Sequence, residues 1–121
     1  MMNFLYVFVG GGLGSICRYA ISRMIKQTDL HFPTATFIAN VMSCIILGYL
    51  IGLTLKDDLA SSQRLLWMTG FCGGFSTFST FSGETFQLLQ AGEMATAFTY
   101  IIFSLLVCVV CIYIGISISG R

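Results

Sequence analysis

Charge is scarce in this chain. Only 9% of its 121 residues are Asp, Glu, Lys or Arg, against about 25% in an ordinary soluble domain. Five acids and six bases cannot cover a water-soluble globule of this size. Their near balance, a formal net charge of +1, leaves no basic surface for nucleic acid. Proline occurs once, at Pro33, and histidine once, at His31. His31 falls in a predicted loop and reads as a solvated surface group. Cys108 and Cys111 form a CxxC, but no second pair and no histidine stands near to complete a zinc site. Cys17, Cys44 and Cys72 also lie in apolar segments, and buried thiols of this kind pack as small hydrophobes. No nucleophile, base and orienting group converge along the chain, so catalysis is disfavoured.

What the chain does have is apolar length. Hydrophobic residues make up 56% of it. A spanning helix needs about 20 mostly apolar residues to cross a hydrocarbon core. Four stretches qualify, at about 4–25, 34–55, 65–89 and 95–118, within a single membrane domain covering residues 1–121. The first is too long for the apolar core of a signal peptide, and Arg18 and Arg23 stand at its far end, so it reads as a retained span. Short links make neighbouring spans antiparallel and put both termini on one side.

Lysine and arginine normally gather on the cytoplasmic side. Lys56, Arg64 and Arg121 fall on the side of the termini. Arg23 and Lys26 fall on the other, where Arg18 can snorkel. The count is balanced, and insertion in both orientations is compatible with it. Gly10 and Gly14 are four residues apart, as are Gly48 and Gly52, a spacing that lets helix backbones approach in lipid. Trp67 reads as an interfacial anchor.

The third span is unusual. Its segment Thr69-Gly70-Phe71-Cys72-Gly73-Gly74-Phe75-Ser76-Thr77-Phe78-Ser79-Thr80-Phe81-Ser82-Gly83-Glu84 puts glycines and a dense run of hydroxyls near mid-bilayer. Gly73-Gly74 weakens a helix there. Irregular backbone at that depth survives only where protein buries it or where it lines a watery cavity. A broken helix at an ion site and a kinked packing helix are both open readings. Phe78 and Phe81 share a helix face, and aromatic edges are electropositive. They fit a pore wall or ordinary apolar contacts. Asn40, inside the second span, is either an anion donor or an interhelical hydrogen bond. Tyr100 and Ser104 share a face and serve either as a hydroxyl track or as polar contacts between helices.

The run Gly70-Phe71-Cys72-Gly73-Gly74-Phe75-Ser76-Thr77-Phe78-Ser79-Thr80-Phe81-Ser82 resembles the signature of the Fluc (CrcB) fluoride channels. Gly11-Gly12-Leu13-Gly14-Ser15-Ile16-Cys17-Arg18-Tyr19 and Thr36-Phe37-Ile38-Ala39-Asn40 resemble the family's first- and second-helix patterns. Ser76 stands where threonine is common, Ala35 replaces a usual glycine, and Phe37 a usual leucine. The resemblance implies an all-α membrane protein of four transmembrane helices with a broken third helix, assembled as an antiparallel, dual-topology homodimer. It implies a passive fluoride-selective channel in the bacterial inner membrane that exports fluoride and lowers its toxicity. Asn40, Phe78 and Phe81 match the family's pore residues, and Ser79, Thr80, Tyr100 and Ser104 its polar track. Arg18 matches a residue near a pore mouth. Gly73 and Ser76 match the carbonyls that hold a structural sodium ion at the dimer centre. Glu84 is left between a pore-mouth and a capping role. The competing reading is a small dual-topology, proton-coupled multidrug antiporter. Such a carrier needs a mid-membrane carboxylate, usually in its first helix, and here that helix has none.

Overall fold

A computed structural model describes residues 1–25 and 32–120. Lys26, His31 and Arg121, which entered the charge and loop readings above, lie outside the described residues. Those described are helical and turn-forming, with no strand. α1 (Met2–Met24), α2 (Thr34–Leu55) and α6 (Met94–Ile118) are each long and apolar enough to cross a membrane. α2 begins directly after Pro33, whose missing N–H costs nothing at a helix cap. It ends in a Schellman motif: Asp57 turns left-handed at φ 65°, and Asp58 N–H reaches the Leu53 carbonyl at 2.9 Å. α5 (Phe78–Gln90) closes the same way, with Gly92 at φ 81° and Glu93 N–H on the Leu88 carbonyl at 2.9 Å.

The third apolar stretch, 65–89, and the turn that precedes it are not one continuous α-helix. A single turn, α3 (Ser61–Arg64), runs into a π-helical stretch (Leu65–Cys72) and a further turn, α4 (Gly73–Phe75). Ser76 and Thr77 are extended, with ψ 157° and 123°, before α5 starts. The departure from helix thus falls two residues beyond Gly73-Gly74, where glycine content alone would put it. The glycines have another task. A methyl group on Gly74 would run into the Gly11 carbonyl of α1, and one on Gly10 would land on the Leu66 carbonyl oxygen. α1 lies along this half of the third stretch through backbone contact that only glycine permits.

α2 lies along α6 by the same device. A methyl on Gly48 would strike the Ile112 carbonyl, and one on Gly115 the Ile45 carbonyl. Gly52 faces the Ser119 hydroxyl, and the Lys56 ammonium donates to the Ser119 carbonyl at the close of α6. That contact sets a cation against the negative end of the helix. α5 turns instead toward α6, where Leu88, Ala97 and Tyr100 form a buried cluster under Phe32, Phe37 and Phe81. Phe32 meets Tyr100 edge-on, with ring centres 5.3 Å apart. Away from these seams the helices are coated with exposed Phe, Leu, Ile and Val, from Phe4 and Phe8 on α1 to Val109 and Tyr113 on α6.

Candidate ion pathway

The extended Ser76–Thr77 step is held by side chains. In a continuous α-helix Thr77 N–H would bond the Gly73 carbonyl, four residues back. It donates instead to Asn40 Oδ1 of α2, at 3.0 Å. Thr80 N–H would bond the Ser76 carbonyl, but it donates to Thr77 Oγ1 at 3.2 Å, so Thr77 caps α5. Two amide donors are diverted, and the carbonyls they leave are those of Gly73 and Ser76. Both residues keep solvent-accessible surface in the single chain. Unpaired carbonyl oxygens are hard ligands, so this pair fits an alkali cation. The Ser76 hydroxyl donates to the Cys72 carbonyl at 2.8 Å, as does Ser43 Oγ at 3.2 Å.

Asn40 therefore has its carbonyl oxygen committed and its amide NH2 available. It lines a cavity of about 210 Å³ together with Ser76, Thr77, Phe78, Phe81 and Ser104. Ser104 is only 5% exposed, and its Oγ has no hydrogen-bond partner. A buried hydroxyl in that state is uncommon and asks for a ligand or water. Phe78 is 77% exposed in the chain, and its ring centre is 5.9 Å from that of Phe81. Phe81 in turn leans on Tyr100 at 4.9 Å.

Beyond Phe81 and Tyr100 lies a second cavity, of about 360 Å³, lined by Arg18, Ser22, Thr34, Thr36, Thr80 and Glu84 among others. Glu84 accepts from Thr36 Oγ1 at 2.9 Å and from Tyr100 Oη at 3.1 Å. Glu84 is thus a wall residue of this cavity and no helix cap. Arg18 reaches it from α1, with Nε donating to the Gly74 carbonyl at 3.1 Å.

The residues singled out in sequence divide into three groups. Asn40, Ser76, Phe78, Phe81 and Ser104 share the smaller cavity. Thr80 and Arg18 share the larger. Tyr100 is fully buried, with its hydroxyl turned to Glu84 and away from any track with Ser104. Ser79 is exposed, with its Oγ 3.2 Å from Thr77 Oγ1. Sequence reading passed over Thr77, Thr36 and Ser43. The Thr77-x-x-Thr80 spacing was the available signal for a cap; the partners of Thr36 and Ser43 lie too far along the chain to be seen from spacing.

A helical membrane protein with one cavity walled by Arg18, Thr80 and Glu84 and another, largely apolar, around Asn40, Phe78, Phe81 and Ser104 has the architecture of a channel or carrier. Residues 5–116 match the family model described as CrcB-like protein, Camphor Resistance (CrcB). A protein of Phocaeicola vulgatus named Fluoride-specific ion channel FluC is 41% identical over 120 residues, covering 98% of this chain and 99% of its own. Its namesake from Pyrococcus abyssi is 42% identical, over 97% of this chain and 95% of its own. One from Flavobacterium psychrophilum is 37% identical, over 98% of each. The chain is a multi-pass membrane protein of the CrcB family.

Proposed function

We infer that the chain forms a fluoride-selective passive channel and is no enzyme. The observation that carries this reading is the unpartnered Ser104 hydroxyl, buried beside a cavity that Asn40 also lines. Fluoride is small and strongly hydrated. A pore must replace its water with donors, and an amide, a hydroxyl and the electropositive ring edges of Phe78 and Phe81 are such donors without a fixed positive charge to trap it. Narrow width and weak, successive sites favour fluoride over the larger chloride.

The route runs from the Arg18 cavity past Thr80 and the Phe81–Tyr100 contact into the cavity of Asn40, Phe78 and Ser104. Ser79, beside Thr77, and Tyr100, held by Glu84, are the remaining polar groups that flank this route. The setting is the bacterial inner membrane, with residues 1–121 as one membrane domain. Two copies pair antiparallel, and the third helix is broken near the midplane. The Gly73 and Ser76 carbonyls from both copies would hold a structural sodium ion, which supplies positive charge at the centre of the pair. Fluoride that enters as neutral HF dissociates in the cytoplasm and leaves down its gradient.

The antiporter reading loses ground at Glu84, whose two oxygens are occupied by Thr36 and Tyr100. The test is ion release from liposomes holding the purified protein, read with fluoride and chloride electrodes. Fast fluoride release with little chloride release is expected. Folded protein that releases no fluoride removes the proposal, and proton-coupled release redirects it to Glu84.

A further inference from the structure

The smaller cavity has a feature that ion conduction does not use. Cys44 of α2 and Cys108 of α6 both line it, beside Phe78, Phe81 and Leu105. The two cysteines are neighbours across the α2–α6 seam, and both are half-buried. Sequence spacing pairs Cys108 with Cys111; the fold pairs it with a residue from another helix. Cys111 is buried, one helical turn from Cys108, and does not line the cavity.

Two neighbouring thiols on one cavity, with open space beside them and apolar walls around them, define the class of ligand they take. A soft cation needs thiolates, and separated charge is costly at membrane depth. A trivalent arsenical needs no charge. A hydrated organoarsenic(III), RAs(OH)2, condenses with two neutral thiols: two As–O bonds break and two As–S bonds form. The thiol protons leave in two waters, and arsenic stays trivalent. The product is neutral, and its organic group falls among Phe78, Phe81 and Leu105. Bond lengths at arsenic require the two sulfurs to be close neighbours, as these are. A water occupies about 30 Å³, so the cavity of about 210 Å³ holds a phenylarsenic group.

We propose that Cys44 and Cys108 form a dithiol site for trivalent arsenicals, whose occupation closes the cavity to fluoride. The blocking half rests on the channel reading above; the binding half does not.

The probe is phenylarsine oxide, added to protein in detergent and in fluoride-loaded liposomes. Intact mass should show one phenylarsenic group per chain in place of two protons. Maleimide labelling followed by peptide mapping should find Cys44 and Cys108 protected. Treated liposomes should lose fluoride release, and a dithiol should restore it where a monothiol does not. Each variant is compared with its own untreated sample: Cys44→Ser and Cys108→Ser should lose the response, and Cys111→Ser should keep it. No adduct on the wild-type protein, protection of other cysteines, or an adduct with unaltered release each overturns the proposal. Untreated protein that releases no fluoride overturns the channel reading instead, and mass and mapping still decide the dithiol.

Discussion

Asn40 has two ends with different tasks. Its Oδ1 holds Thr77 N–H, and its NH2 is left without a partner among the described residues, on a side chain that lines the cavity. Asn40→Asp keeps the acceptor and replaces the donor with negative charge. We expect a folded protein whose fluoride release falls by about tenfold or more, the effect of losing roughly 1.4 kcal/mol at a binding step. Asn40→Ala removes both ends, and the unpaired Thr77 N–H adds about 1–3 kcal/mol of destabilisation. Thermal unfolding in detergent separates the two variants; undiminished flux in Asn40→Asp takes the amide off the route. The phenylalanines differ in kind. Phe78 is largely exposed, while Phe81 packs on Tyr100. Phe78→Ile should lower flux with stability unmoved. Phe81→Ile should lower flux and also cost about 0.5–1.5 kcal/mol of aromatic contact. Unchanged flux in both ends the ring-edge account. The side chains of this site were readable in sequence because a buried amide and a hydroxyl run are expensive in lipid. The bond between Asn40 and Thr77 was not, since 37 positions separate them.

At the scale of elements, glycine spacing carried the packing. Gly10 with Gly14, and Gly48 with Gly52, sit where spacing put them, against opposing backbone or, at Gly52, the Ser119 side chain. The winding of Leu65–Cys72 did not show in sequence. Its residues suit an α-helix; the π form runs where that stretch lies against α1. The extended step stands at Ser76–Thr77 and not at Gly73-Gly74, and Gly74 lies on the approach to Gly11. The consequence is measurable in pairs. Gly10→Ala and Gly48→Ala each push a methyl into a carbonyl and should destabilise by about 1–3 kcal/mol, as overpacking does. Gly12 has open space around its would-be Cβ, so Gly12→Ala should be tolerated. Equal melting temperatures for Gly10→Ala and Gly12→Ala would contradict the close seam.

At the scale of the whole molecule, balance of charge is the controlling fact. Lys56 and Arg64 stand at one end and Arg23 at the other. Orientation in a bilayer follows such asymmetry, and here there is little. In a variant with its native cysteines removed, a cysteine placed at Asp57 should react with impermeant maleimide from both faces of the membrane. Reaction from one face alone would sink the antiparallel pair. Adding two lysines beside Lys56 should shift the population toward one orientation and lower flux with it. Composition made membrane residence plain from the start; the proposed antiparallel pairing rests on a near-cancellation of charge that counting shows and geometry does not enter.

The pairing of α2 with α6 has a consequence in time. Ribosomes add about 5–20 residues per second, and α6 is the last helix among the described residues. On the order of several seconds therefore pass between completion of α2 and completion of its main neighbour. Throughout that interval the glycine face of α2 and its Asn40 amide are open to whatever drifts past. The mature fold is thus exposed to a hazard of biosynthesis that no equilibrium measurement registers. Rare codons placed between residues 56 and 93 lengthen the interval, and should raise the aggregated fraction without changing one amino acid.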